Sequence, residues 1–202
     1  MIKLQSPEEL TQYTVDEVIH HIAKELSVKI SAFPAEKLAM IGIHTGGVLV
    51  AEKLLKALPQ ALPFGTLNIA YYRDDFSEKG LHPSVSPSTL PFDIEGKYII
   101  LVDDVVMSGR TIRAALNEIF DYGRPQQILL VTLVDIPKRE LPIQPDVRGL
   151  ELSLPPGQRI KLSGTTTLQL TVRPNISQSN WNHWEIAIPM ALGIHQLQQK
   201  DD

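Results

Sequence analysis

Residues Ile99–Thr111 read Ile-Ile-Leu-Val-Asp-Asp-Val-Val-Met-Ser-Gly-Arg-Thr. With Tyr98 in front, Ile99-Ile100-Leu101-Val102 forms an unbroken apolar run, the pattern of a buried strand. Two carboxylates, Asp103 and Asp104, stand at its carboxyl end. The chain then passes through Val105, Val106, Met107, Ser108 and Gly109 into a helix expected from about Arg110 to Tyr122. Ile112, Ala115, Leu116, Ile119 and Phe120 recur on one face of that helix, and Gly123 and Pro125 supply its stop. Each part has a chemical use. A helix N-terminus offers unpaired N–H groups and partial positive charge to an anion. Gly109 permits close backbone approach, and Ser108 and Thr111 add hydroxyl donors. The acidic pair can accept hydrogen bonds from two neighbouring sugar hydroxyls, or hold Mg2+ through water. Phosphate at one end and a diol or metal at the other describes a ribose phosphate.

The alternation of strand and helix extends in both directions. Upstream, Ser6-Pro7-Glu8-Glu9 predicts a helix start, with Ser6 as N-cap, Pro7 in the first turn and Glu9 closing a capping box. Val15, Val18, Ile19, Ile22, Leu26 and Ile30 follow at three- and four-residue steps. Leu38–Ile43 reads as a buried strand, His44-Thr45-Gly46-Gly47 as a turn, and the next segment as a helix carrying Val48, Leu49, Ala51, Leu54, Leu55 and Leu58. Thr66–Tyr72 reads as a further strand. Downstream, Gln127–Val134 is a buried strand and Val147–Leu152 a weaker one. Such units in series predict an α/β fold with a mainly parallel central sheet flanked by helices. Ligands of such sheets bind beyond the carboxyl ends of the strands, so the loops after Ile43, Tyr72, Val102 and Val134 should meet. Asp74–Lys97 holds Pro83, Pro87 and Pro91 without periodicity, which predicts a long flexible lid loop.

Composition bounds the rest. A chain of 202 residues with 43% apolar content can build one full core. The absence of cysteine excludes disulfides, thiolate metal sites and a cysteine nucleophile. The six histidines show no metal-ligand spacing. A net charge of −4 gives no bulk attraction to nucleic acid or to an acidic membrane. No apolar run approaches the ~18 residues of a membrane span. Met1–Gln5 leads into a polar helix start rather than a signal peptide, so a soluble, cytoplasmic protein is expected. No G-x-G-x-x-G follows a strand and no Walker-type loop occurs, which leaves dinucleotide and nucleoside-triphosphatase chemistry without support.

The stretch Ile99–Thr111 resembles the phosphoribosyl-pyrophosphate (PRPP) motif of type I phosphoribosyltransferases: four apolar residues, an acidic pair, a short spacer, then Ser-Gly-x-Thr. Tyr72-Arg73-Asp74-Asp75, Phe120-Asp121-Tyr122-Gly123-Arg124-Pro125 and Arg139-Glu140-Leu141-Pro142-Ile143 resemble the PyrR family. That family combines uracil phosphoribosyltransferase activity with regulation of pyrimidine-operon transcripts. The likeness spans about Ile41 to Gly149, and more loosely Ser6 to Leu170. It implies the type I phosphoribosyltransferase fold and the reaction uracil plus PRPP to UMP plus pyrophosphate. By the same resemblance Asp103, Asp104 and Arg73 form the catalytic set, and Asp103 and Asp104 hold Mg2+. Val105, Val106, Met107, Ser108, Gly109, Arg110 and Thr111 bind the ribose phosphate of PRPP. Thr45, Gly46 and Gly47 form the pyrophosphate loop, which in this fold often holds a strained peptide bond. Val134, Asp135 and Ile136 hold the base, largely through main-chain groups. PRPP, uracil, UMP and a pyrimidine-operon mRNA are the implied partners, and a homo-oligomer the implied assembly.

Two departures from the family pattern stand out. Its frequent Thr-Arg-Gly is here Thr45-Gly46-Gly47, which removes one positive charge from the pyrophosphate loop. Its Asp-Arg-Gly-His is here Asp135-Ile136-Pro137-Lys138. Met107 carries no titratable group, where enzymes for purine bases commonly carry an Asp, and this favours a pyrimidine. Two other readings stay open: an RNA-binding attenuation regulator with weak or no catalysis, and a phosphoribosyltransferase for orotate or a purine. Residues 1–173 are expected to form the domain. Residues 174–202 are expected to pack on it or on a partner subunit, because Trp181, Trp184, Ile186, Ile188 and their apolar neighbours are too many for a solvated linker.

Overall fold

A computed structural model describes residues 2–69 and 87–174. Arg73, most of the expected lid and the extension from residue 175 onward lie outside the described residues.

Among the described residues six strands form one sheet, in the order β1-β6-β5-β4-β2-β3. They are β1 (Ile2–Leu4), β2 (Leu38–Ile43), β3 (Phe64–Leu67), β4 (Tyr98–Val106), β5 (Gln127–Asp135) and β6 (Val147–Leu152). Every pairing in this sheet is parallel. The two-residue period of the strands divides their apolar side chains between two cores. Leu38, Met40, Ile100, Val102, Leu129 and Val131 face α1 (Val15–Ile30) and α2 (Gly46–Ala57). Ala39, Ile41, Ile43, Ile99, Leu101 and Leu130 face α3 (Arg110–Tyr122), with Ile112, Ala115 and Ile119. Helices on both faces explain why β2, β4 and β5 read as continuous apolar runs. An antiparallel hairpin, β7 (Gln158–Ser163) and β8 (Gln169–Pro174), follows the sheet. No helix among the described residues is long and apolar enough to cross a membrane.

The first helix starts later than Ser6 suggested. Pro7–Gln12 is a 3-10 helix, and Ser6 makes no capping bond to it. The capping box belongs to Thr14 and Glu17 instead. The Thr14 hydroxyl accepts from the Glu17 N–H at 3.2 Å, and the Glu17 carboxylate accepts from the Thr14 N–H at 2.8 Å. The Thr14 N–H first, and then the Thr14 hydroxyl, which donates to the same carboxylate at 2.8 Å, hold the Glu17 carboxyl below its ordinary value. Behind the cap the expected stripe from Val15 to Ile30 is buried throughout.

Of the strand expected over Thr66–Tyr72, residues 70–72 lie outside the described residues, and the described strand runs over Phe64–Leu67. Its partner sets the limit: pairing runs from Met40 opposite Phe64 to Ile43 opposite Leu67, and β2 ends there. The last bond of the ladder is His44 N–H to the Leu67 carbonyl, 2.9 Å. The described end of the expected lid is anchored rather than free. Thr89 pairs antiparallel with Thr66, Ile94 is buried, and Leu90 and Phe92 pack on the core beneath α3. The Ser88 hydroxyl accepts from the Asn68 N–H at 2.9 Å and donates to the Glu118 carboxylate on α3.

Candidate active site

The carboxyl ends of β4 and β5 open into a cleft of about 290 Å³. Its wall is Asp103 through Ile112, joined by Ile136 from the loop after β5 and by Arg159 and Ile160 from β7. Thus the expected Asp103, Asp104, Val105, Val106, Met107, Ser108, Gly109, Arg110 and Thr111 come together on one surface. Val134 and Asp135 are buried beside it, and only Ile136 of that trio lines the cleft.

The acidic pair sits where β4 stops being sandwiched. Asp103 is 2% exposed, and its carboxylate accepts the Asp104 N–H at 3.0 Å. Asp104 is half-buried. Its carbonyl accepts from the buried Thr132 hydroxyl at 3.4 Å, which ties the strand end to β5. The Asp104 carboxylate lies against the first turn of α2. A Cβ built on Gly46 would stand 2.2 Å from it, closer than any real contact. A glycine is therefore required at 46 for the carboxylate to lie there. Gly46 lies against the Asp104 carboxylate and Gly47 against the Val102 carbonyl, and Thr45, Gly46 and Gly47 do not line the cleft. The peptide between His44 and Thr45 is cis.

At the other end of the cleft, Ser108 and Gly109 lead into the N-terminus of α3. Gly109 has φ +92°, a left-handed conformation that favours glycine. The Ser108 hydroxyl accepts from the Arg110 N–H at 3.3 Å, and the Arg110 side chain pairs with Glu140 at 2.6 Å. Met107 is 44% exposed, an apolar plate beside Ile136 on the same wall.

Sequence reasoning assigned no role to Arg139, and the structure makes it a hub. Its Nε donates to the Ile143 carbonyl at 2.7 Å. Its Nη1 donates to the carbonyls of Met107 and Ile136, at 2.6 and 2.7 Å. Its Nη2 pairs with the Asp135 carboxylate. Arg148 binds the second Asp135 oxygen at 2.7 Å and reaches Glu151 at 3.1 Å. The Asp135 carboxylate is thus occupied by two guanidinium groups, and no polar side-chain atom buried among the described residues lacks a partner. Arg159 and Ile160 were also missed, because they arrive from a hairpin distant in sequence.

Among the described residues no group of three His, Cys, Asp or Glu side chains could hold a metal ion by itself. Asp103 and Asp104 offer hard oxygen donors on the cleft wall, which fits Mg2+ completed by water and ligand oxygens.

A parallel sheet, an acidic pair at a strand end and a helix N-terminus facing it define a phosphoribosyltransferase site. A sequence model of the phosphoribosyl transferase domain family matches residues 10–158. A bifunctional protein PyrR of Pseudomonas savastanoi pv. phaseolicola is 55% identical over 157 residues, covering 78% of this chain and 92% of that protein. Another, from Pseudomonas fluorescens, is 59% identical over 133 residues, 66% of this chain and 79% of that protein. The chain belongs to the PyrR family of phosphoribosyltransferases. Its fold is that of a hypoxanthine-guanine phosphoribosyltransferase from Bacillus anthracis: TM-score 0.56, 20% identity, 72% of this chain and 84% of that one. A hypoxanthine phosphoribosyltransferase from Staphylococcus aureus matches at TM-score 0.52 and 20% identity, over 68% of this chain and 74% of that one.

Proposed function

We propose that the chain transfers the phosphoribosyl group of PRPP to uracil, giving UMP and pyrophosphate, and that it takes part in regulating pyrimidine synthesis. The observation that carries this is the single wall from Asp103 to Ile112. An acidic pair and a glycine-led helix start stand on it together, and Met107 on that wall and Ile136 from the loop after β5 add apolar surface for a base. The relatives' name, bifunctional protein PyrR, supports the second role.

In this reading the C1–pyrophosphate bond breaks as N1 of uracil bonds to C1, and the N1 proton leaves to solvent. The protein's work is positioning and charge stabilisation. Asp103 and Asp104 hold the 2′- and 3′-hydroxyls and, through water, Mg2+; when bound, that ion neutralises pyrophosphate charge. Residues 107–111 take the 5′-phosphate. By the family resemblance, Thr45 to Gly47 and Arg73 are assigned to stabilising the departing pyrophosphate. Uracil lies by Met107 and Ile136, the residue of the loop after β5 that lines the cleft. A pyrimidine-operon mRNA is the partner of the regulatory role, and residues 174–202 pack on the domain or on a second subunit.

A regulator with weak catalysis is the second reading. It is favoured by the pyrophosphate loop, which lacks a cation at Gly46 and has the Asp104 carboxylate against it. Turnover of radiolabelled uracil, orotate and hypoxanthine with PRPP and Mg2+ separates the readings. UMP formation from uracil alone is expected. Preference for another base overturns the substrate, and no turnover with retained UMP binding favours the regulator.

A further inference from the structure

Three successive carbonyls of the loop after β4 are held from one side by the segment after β5. The Val106 carbonyl accepts from the Ile136 N–H at 2.8 Å and from Arg139 Nη1 at 3.3 Å. The Met107 carbonyl accepts from Arg139 Nη1 at 2.6 Å. The Ser108 carbonyl accepts from the Glu140 and Leu141 N–H groups at 3.0 and 3.1 Å. Behind Gly109 stand Leu141 and Ile143, 3.4 and 3.5 Å from where a Cβ would be.

A trans peptide points its N–H opposite to its C=O, and these peptides are trans. Binding the carbonyls of 106, 107 and 108 on one side therefore aims the N–H groups of Met107, Ser108 and Gly109 to the other. Those three residues line the cleft. Successive amides aimed into one concavity, with Gly109 in the left-handed conformation, form an anion nest. Were these carbonyls released, their partial negative charge could turn toward the cleft and repel a phosphate.

We infer that Arg139 is a positioning residue which shapes this phosphate nest from behind, and that it links the phosphate end of the cleft to the base end. The inference rests on the reading above that a phosphate occupies this loop. Arg139 suits the task because a guanidinium keeps its charge at any working pH and offers five donors in a fixed fork. Its side chain is 12% exposed, and Asp135 fixes its far end. The same Nη1 that holds Met107 also holds the carbonyl of Ile136, the cleft residue at the base end. A lysine would keep the charge, but a single ammonium cannot reach Ile143, Met107 and Asp135 together.

The test is calorimetric titration of the full chain with UMP and with uridine, which differ by the phosphate alone. Wild type should bind UMP more tightly. In Arg139→Lys and Arg139→Gln the UMP-to-uridine affinity ratio should fall about ten- to a hundredfold, the scale of one charge-assisted hydrogen bond. Arg148→Gln removes the other partner of Asp135 without touching the loop carbonyls. It should lower the melting temperature and keep the ratio. An undiminished ratio in Arg139→Lys overturns the inference, as does an equal fall in Arg148→Gln, which would mean general loosening. Should Arg139→Gln fail to fold, Arg139→Lys decides by the same ratio. Wild type binding uridine as tightly as UMP would instead refute the phosphate reading itself.

Discussion

Asp135→Asn should unfold the protein more readily without first acting on the base. Asp135 is 1% exposed and sits between two cations, Arg139 and Arg148, whose side chains are 12% and 29% exposed. Neutralising the shared carboxylate leaves Arg139 without its counter-charge and Arg148 with Glu151 alone. Removing one partner of a buried pair costs about 3–5 kcal/mol. Arg148 recovers some hydration through its exposed part, so the lower end, about 3 kcal/mol, applies. In a chain of this length each kcal/mol moves the melting temperature by about 2–4 °C, giving a fall of about 6–12 °C. Urea unfolding at neutral pH should show a lower midpoint with an unchanged slope. Arg148→Met, at the half-exposed side of the cluster, should lose only about 1 kcal/mol. A loss below about 1 kcal/mol for Asp135→Asn would refute the reasoning. So would unaltered stability with abolished uracil binding, which would return the carboxylate to the base.

Asp104→Asn should abolish most uracil turnover while circular dichroism and melting stay close to wild type, since that carboxylate faces the cleft; retained turnover in the Asp103→Asn, Asp104→Asn double variant would remove the diol and Mg2+ role. Thr111→Val should weaken UMP binding by about 1.5–3 kcal/mol in calorimetry, one charge-assisted hydrogen bond. Thr14→Ala should cost about 1 kcal/mol of stability at neutral pH through loss of the cap. Because the folded Glu17 carboxyl is held low, its contribution is present above the ordinary carboxylate range and is lost as pH falls through the folded value, so the wild-type advantage in urea midpoint should shrink in acid. Deleting residues 174–202 should lower the melting temperature or the sedimenting mass; a truncated chain that melts and sediments like the full one would show the extension contributes nothing.

Most of the sheet and the cleft wall could be read from the chain because independent signals coincide there. At Ile99–Thr111 a buried strand, an acidic pair and a glycine-led helix start all fall within one short stretch. The first helix start is ambiguous in sequence because Ser6-Pro7-Glu8-Glu9 and Thr14-Val15-Asp16-Glu17 satisfy the same capping pattern. The apolar stripe begins directly behind Thr14, and that is the cue which decides. β1 is three residues long, too short to show a period. Arg139 could not be assigned because its partners are carbonyls, which every residue carries, and only the fold chooses among them. Arg159 and Ile160 enter the cleft wall through a hairpin whose placement depends on tertiary packing. The sequence shows the tight fit of Asp104 on Gly46 only as a missing charge, because its steric side exists only in the folded chain.

The edge strand β1 carries a consequence for synthesis. Ile2, Lys3 and Leu4 pair with Leu150, Glu151 and Leu152, so β1 waits for β6, about 150 residues later, the last of the described strands in this sheet. Lys3 likewise finds Glu151, 3.0 Å away, only then. On a ribosome that emits the chain from its N-terminus, β2, β4 and β5 can pair and bury their faces while β1 still has no neighbour. Contacts of such long sequence separation carry the largest loop-closure cost and form late. During synthesis β1 can therefore close its edge only once β6 has emerged to dock beside β5. A nascent chain stalled before residue 147 exposes the open side of β5, and with it the segment that carries Asp135, to any passing strand.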